Sequence, residues 1–286
     1  MGFFVTQPTT MHTIPQNDAI LKKIMIAIDL TNKNAVVCGS TQGIGLATAQ
    51  QMALAGATVT LVARNKEKLE EALKTLDNTA GQKHNYIQAD FAQPVFLQEK
   101  IEAWAETNTC HILVNNTGGP AAGKAIDAEP MDYVNAFKQH LLCNQILVQT
   151  LSKGMKEAGY GRIINIISTS VKQPLKGLGV SNTIRGAVAS WAKTLATELA
   201  SFGITVNNVL PGATSTERLE TIIQNKSTNS GHDRAAVEKE MLAEIPAGRF
   251  GNPTEIANAV TFLASPLAGY INGINVPVDG GRTGCL

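Results

Sequence analysis

A glycine-spaced turn constrains this chain more than any other feature. A short apolar run, Asn34 to Cys38, leads into Gly39-Ser40-Thr41-Gln42-Gly43-Ile44-Gly45, and a segment of helical character continues from Gly43 to Ala55. The order is strand, turn, helix. Glycine lacks the Cβ that keeps backbones apart, so such a turn bends sharply and lets another group come close. A helix starting there offers free N–H groups and the positive end of its dipole. Together they predict a cradle for the pyrophosphate of a dinucleotide, as in the first turn of a βαβ unit. The plainer alternative is a tight turn whose glycines serve packing alone.

The rest of the chain supplies the βαβ setting. Thr58 to Ala63 (TVTLVA), Tyr86 to Ala89, His111 to Asn115, Arg162 to Ile167, Ile204 to Val209 and Ile274 to Val278 read as further strands. A charged helix is expected over Lys66 to Leu76, with Leu69, Leu73 and Leu76 inward. A long helix is expected over Met131 to Ala158, where Val134, Phe137, Leu141, Val148, Leu151 and Met155 step by three and four. A third runs through Val188, Trp191, Leu195 and Leu199. Alternation of this kind predicts an α/β fold: a single doubly wound Rossmann-like domain with a central parallel sheet of about seven strands.

That domain is expected over residues 25–286, with a lid over about 213–246 that is polar from Asn225 to Asp233. Residues 1–24 are rich in Thr, Pro, Gln and Asn and read as a loosely ordered tail, with a short helical piece near Leu21. The opening MGFFVT matches the short N-myristoylation pattern through Gly2 and Thr6.

Composition removes several function classes. Hydrophobic residues at 44% and charged residues at 16% give a 286-residue chain ample material for a core. Lys+Arg at 24 against Asp+Glu at 23 leaves a net charge of +1, without the basic excess of a nucleic-acid binder. Cys38, Cys110, Cys143 and Cys285 fit no metal spacing and read as free thiols in a reducing compartment. No apolar run reaches a membrane span, and no secretory leader opens the chain. A cytoplasmic protein with no metal, nucleic acid or membrane partner is expected.

The glycine spacing is GxxxGxG, and it resembles the TGxxxGIG loop of the short-chain dehydrogenase/reductase family, with Cys38 at the Thr position. Other marks follow in order. Asn115-Asn116-Thr117-Gly118 is similar to the family's NNAG motif, Ser168 ends the fifth strand at its catalytic-serine position, and Asn208 to Gly212 resembles its PG motif. Tyr270 to Gly281 is similar to its C-terminal signature. The resemblance spans about residues 28 to 286 and points to 3-oxoacyl-acyl-carrier-protein reductases.

The resemblance implies a nicotinamide cofactor. Gly39, Ser40, Thr41, Gln42, Gly43 and Ile44 are then expected around the pyrophosphate, Asp90 and Phe91 at the adenine, and Asn116 and Gly118 beside the cofactor. Pro211, Gly212, Thr214 and Thr216 are expected at the nicotinamide. At the end of the second strand the position of an NAD-selecting carboxylate holds Ala63, followed by Arg64. A carboxylate repels a 2′-phosphate and a guanidinium pairs with it, so NADP(H) is predicted over NAD(H). The plainer reading of Arg64 is a surface turn, and that of Asp90 a helix cap.

The catalytic set departs from the pattern. The family delivers hydride to a carbonyl while a Tyr gives the proton, a Lys four residues on lowers its pKa and holds the ribose, a Ser orients the carbonyl and an Asn supports the relay. By spacing, Ser181 stands at the Tyr position, Arg185 at the Lys position and His140 at the Asn position. Only Ser168 is retained. A serine hydroxyl is a far weaker acid than a phenol of pKa ~10. Arg185 can still hold a ribose but cannot shuttle a proton. The substitute acid is then His140, which ordinarily titrates near neutrality, or Lys172 or its neighbour Lys176 on the loop after Ser168, or water. Tyr160 is expected at the far end of the domain.

Two readings of different class follow. The first is an NADP-dependent oxidoreductase acting on a 3-oxoacyl thioester or similar ketone with an atypical proton donor. The second is a nicotinamide-binding sensor or oligomeric partner that has lost turnover, or a lyase or isomerase on the same scaffold. The resemblance also implies a homodimer or homotetramer, with the helices around residues 131–158 and 181–201 as one face and the C-terminal strand as another.

Overall fold

In the computed structural model, residues 27–285 are described; the tail, Gly2, Thr6 and the helical piece near Leu21 lie outside them. Seven strands form one sheet: β1 (Asn34–Cys38), β2 (Thr58–Ala63), β3 (Asn85–Gln88), β4 (Ile112–Asn115), β5 (Gly161–Ile166), β6 (Ile204–Pro211) and β7 (Asn275–Val278). Their order is β3-β2-β1-β4-β5-β6-β7, and every neighbouring pair is parallel. The chain moves outward from β1 through β3, then returns across the sheet to β4 and moves out the other way. A crevice therefore opens between the carboxyl ends of β1 and β4, where doubly wound sheets bind ligands. The α/β class and the parallel sheet agree with the sequence pattern.

Helices cover both faces, which is why the central strands are apolar on both sides. On one face lie α1 (Gly43–Leu54), α2 (Lys66–Leu73) and α9 (Pro253–Ala264), packed through Ala49, Met52, Leu69, Ile256 and Val260 onto Val37 and Val59. On the other lie α3 (Pro94–Ala105), α5 (Cys143–Ala158) and α6 (Gly179–Leu199), packed through Leu97, Leu147, Leu151 and Ala192 onto Val36 and Leu113. Each fully buried Val, Leu, Ile or Met among them contributes about 1.5–3 kcal/mol. The buried thiols of Cys38, Cys110 and Cys143 belong to this second layer, and burial pushes the pKa of each upward.

The expected long helix over Met131 to Ala158 is not continuous. α4 (Pro130–Phe137) passes through one wide π turn, Lys138–Leu142, before α5 begins, and the Cys143 N–H reaches back to the Lys138 carbonyl. The extra residue in that turn shifts the helical phase. Ala136, His140 and Cys143 face inward, while Val134 and Phe137, expected in the core, are 41% and 45% exposed.

The lid region holds α7 (Glu217–Ser230) and α8 (Arg234–Ala243). Asn225 to Ser230, expected as polar loop, stays helical until Gly231 ends α7 in the left-handed region at φ 71. That conformation suits glycine and stops helices.

Four asparagines cross the sheet in register. Asn115 Nδ2 donates to Asn165 Oδ1 at 2.8 Å, Asn165 to Asn208 at 2.9 Å, and Asn208 to Asn275 at 2.8 Å. They stand opposite one another on β4, β5, β6 and β7. Next to the first of them, Asn116 Nδ2 donates to the carbonyls of Cys38 and Gly39, each at 3.2 Å. This amide ties the end of β4 to the turn after β1.

Candidate active site

The turn after β1 is shaped by contacts that only glycine permits. A Cβ on Gly45 would lie 2.1 Å from the Gly39 carbonyl oxygen, and one on Gly39 would lie 2.7 Å from the Asn116 carbonyl oxygen. Gly39 and Gly43 also take positive φ, 58 and 54. α1 then begins at the extended Gln42 with no side chain bonded to its end and no acidic residue in its first turn. Its first N–H groups therefore lie open to a ligand, at the positive end of the helix dipole.

That turn forms the centre of one cleft of about 870 Å³. Thr41, Gln42, Gly43 and Ile44 line it beside Asn116 and Gly118. Ser40 does not face it. The Ser40 side chain is fully buried and its Oγ accepts the Val62 N–H at 3.0 Å, pinning the turn to β2. Contrary to the expectation for the loop, this side chain is structural, because the turn folds it under the sheet edge.

At one end of the cleft stand Ala63, Arg64, Asp90 and Phe91, joined by Asn65 and Lys68. Asn65 caps α2, accepting the Lys68 N–H at 2.7 Å. This sets Lys68 one helical turn from Arg64 on the same wall. Neither cation forms an ion pair among the described residues. Sequence reading passed over Lys68, which only the position of its helix turn brings to the wall. Asp90 does not cap α3, whose N-cap is Gln93; its carboxylate accepts the Ala92 N–H at 2.9 Å.

At the other end stand Ser168, Ser181 and Arg185, with Thr117 and Gln139. Ser168 Oγ accepts the Ser170 N–H at 3.1 Å, which leaves its hydroxyl proton free to donate. Arg185, 8% exposed, is held by a 3.0 Å bond from Nη1 to the Ile166 carbonyl. Burial, then the charge of Arg218, lowers its pKa to about 10, so it stays cationic at neutral pH. Pro211, Gly212 and Thr214 close this end from β6. Thr216 is there too, but its Oγ1 caps α7 by accepting the Leu219 N–H at 3.3 Å, and its methyl sits 3.2 Å from where a Gly43 Cβ would be.

Three candidate acids lie outside the cleft wall. His140, in the π turn, is 1% exposed; its Nδ1 is 2.6 Å from Thr117 Oγ1 and its Nε2 has no partner among the described residues. Burial, then the Arg185 charge, drives its pKa down to about 2. The expectation that it titrates near neutrality is thus corrected: the imidazole is neutral and meets the cleft only through Thr117. Lys172 and Lys176 are absent from the lining too, because the loop carrying them is folded back by Asn182, which bonds both backbone groups of Leu175. Tyr160 lies at the opposite edge of the sheet, donating to the Ala264 carbonyl at 2.6 Å, and no tyrosine lines the cleft among the described residues.

These geometries fit a dinucleotide: an open helix end, glycines whose Cβ would fill the cradle, and two free cations at one extremity. No cluster of three or more metal-binding side chains occurs among the described residues, and no described helix is long and apolar enough to cross a membrane.

Comparisons with known proteins agree with this arrangement. A family model described as "Enoyl-(Acyl carrier protein) reductase" matches residues 39–283. A 3-oxoacyl-[acyl-carrier-protein] reductase of Aquifex aeolicus is 29% identical over 255 residues, covering 89% of this chain and 98% of the relative. A 3alpha-hydroxysteroid dehydrogenase of Mediterraneibacter gnavus is 33% identical over 257 residues, covering 88% and 97%. Among solved structures, L-sorbose reductase from Gluconobacter frateurii, complexed with NADPH and L-sorbose, superposes with a TM-score of 0.85 at 31% identity, over 91% of this chain and 100% of that one.

Proposed function

The chain belongs to the short-chain dehydrogenase/reductase family, and from that premise we propose that it is an NADP(H)-dependent oxidoreductase reducing a carbonyl, such as a 3-oxoacyl thioester or similar ketone. The observation that carries this reading is the continuity of the cleft. It runs from Arg64 and Lys68, past the glycine turn, to Ser168, Ser181 and Arg185. The backbone around Gly39 to Ile44 would hold the pyrophosphate, Arg64 and Lys68 a 2′-phosphate, Asp90 and Phe91 the adenine end, and Pro211 to Thr216 the nicotinamide end. The naming of one relative for 3-oxoacyl-[acyl-carrier-protein] reduction supports the thioester, and the NADPH in L-sorbose reductase supports the phosphate preference.

A reduced nicotinamide held there would supply a hydride to the carbonyl carbon, and the carbonyl oxygen would then have to take one proton. Ser168 donates its free hydroxyl hydrogen to that oxygen. The Arg185 cation stabilises the developing negative charge, in a partly dry site where this counts for more than in water. With no phenol at hand and His140 neutral, water held by Ser168 and Ser181 gives the proton, and the hydroxide left behind is reprotonated from solvent as the product leaves. The Thr117–His140 pair supports that water as a hydrogen-bond relay. α7 and α8 act as the lid that keeps other water out. Exposed apolar side chains on α4 and near β7 are the contacts of a homodimer or homotetramer.

The test is an NADPH titration followed by a panel of ketones and 3-oxoacyl thioesters, read at the nicotinamide absorbance. Turnover with at least one member is expected. Tight NADPH binding with no turnover across the panel would favour the second reading, a nicotinamide-binding protein without redox activity; its support is Ser181 in the tyrosine position.

A further inference from the structure

Two cations converge where the carbonyl would react. Arg185 comes from α6 beneath the cleft and Arg218 from the first turn of α7 above it. Each is anchored by a backbone carbonyl: Arg185 Nη1 on Ile166 at 3.0 Å, and Arg218 Nη2 on Pro120 at 2.6 Å. Both guanidiniums reach the space over Gly119. A methyl group placed on Gly119 would lie 3.3 Å from Arg218 Nη2 and 3.9 Å from Arg185 Nη2. The absence of a side chain at this position keeps that space open.

Neither arginine forms an ion pair among the described residues. Glu217 also lines the cleft, one residue from Arg218, yet pairs with neither. Burial lowers the pKa of both guanidiniums, and each remains charged at neutral pH. Arg185 is buried and Arg218 exposed, and two like charges side by side with no counter-ion raise the free energy of the empty site. An oxyanion between them would relieve both the desolvation and the repulsion. Guanidiniums also match planar, bidentate acceptors.

We infer that the substrate itself carries an anionic group, a carboxylate or phosphate close to its reacting carbonyl, and that Arg185 and Arg218 clamp it over Gly119. This rests on the carbonyl-reducing reading of the same cleft and narrows it to keto acids and related oxyanions. Ser168 and Ser181 then face the carbonyl oxygen, Arg185 lies between that oxygen and the anionic group, and Arg218 fixes the far side of the anion. Because Arg218 opens the lid, an anion seated there also draws α7 down over the site.

The dinucleotide's own pyrophosphate has the same chemistry, so the experiment separates the two sources. Malonate, with dimethyl malonate as the uncharged control, is titrated by calorimetry into the full chain loaded with NADP⁺. Malonate should bind and the ester should not. Arg218→Gln should weaken malonate by at least about tenfold while leaving NADP⁺ affinity unchanged, the loss of one charge-assisted contact. Arg218→Lys, which keeps the charge without the fork, should fall between. Malonate affinity unchanged in Arg218→Gln, or no malonate binding, would overturn the inference. So would loss of NADP⁺ affinity in its place, which assigns the pair to the pyrophosphate and leaves the proposed function standing. If the wild-type chain binds no nicotinamide, the proposed function fails separately. Malonate binding to the cofactor-free protein then decides the clamp.

Discussion

At His140, burial sets the charge state and hence the chemistry. A histidine held neutral in the fold must take up a proton when the chain unfolds below its ordinary pKa. Its folded pKa, about 2, lies below its unfolded value of 6.5, so its contribution to stability is full above that unfolded value. It is lost as pH falls from there toward the folded value. Denaturant unfolding at pH 7, 6 and 5 should therefore show the wild type losing up to about 1.4 kcal/mol per pH unit more than His140→Leu. Parallel slopes would mean that the imidazole takes up its proton in the fold as readily as in the unfolded chain. Arg64 is the second residue with a direct readout. Arg64→Asp should weaken NADP⁺ by about 10- to 100-fold and leave NAD⁺ nearly untouched, because it replaces a phosphate partner with a repelling charge. Fluorescence titration with both cofactors decides; an unaltered ratio would transfer the role to Lys68 alone.

At the scale of elements, the glycine turn joins sequence to site most directly. Gly45→Ala would drive a Cβ into the Gly39 carbonyl at 2.1 Å. The turn must then open, which should cost about 1–3 kcal/mol and abolish measurable dinucleotide binding. Retained binding at wild-type affinity would show that the cradle does not depend on that close approach. This turn, the strands and the end positions Asn116, Ser168 and Gly212 were legible because each lies at a strand terminus, and strand termini follow from short apolar runs. Other features were not legible. α3 and α9 each start at a proline, which reads equally as a loop. The π turn leaves no composition mark, yet it rotates His140 inward and Phe137 outward. Lys172 looked close to Ser168 in sequence, but the Asn182 side chain folds its loop away. Lys68 and Arg218 reach the cleft only because Asn65 and Thr216 cap their helices at particular angles.

For the whole molecule, the phase shift in α4 has a second effect. It places Met131, Val134, Phe137 and Leu142 on the surface as a stripe 38–56% exposed, and around β7 it is matched by Leu267, Tyr270 and Ile274. Exposed apolar side chains repeated along one element are a mark of association sites. Sedimentation of the full chain should show a dimer or tetramer, and Phe137→Lys should shift it toward monomer by placing a charge in the buried centre of the contact. A wild-type monomer at micromolar concentration, or an unshifted variant, would remove α4 from the interface. The asparagine row across β4 to β7 acts over the same length. The three bonds in it all run in one direction, each donated from Asn115 toward Asn275, and Asn115 Oδ1 is left without a partner among the described residues. Four aligned amide dipoles polarise one another. Their negative end is the side-chain oxygen of Asn115, one residue before the Asn116 amide that ties β4 to the glycine turn. Reversing any one amide would set two donors, or two acceptors, face to face, so the row holds a single polarity. The outermost strand thus carries an electrical orientation inward to the turn at the centre of the cleft.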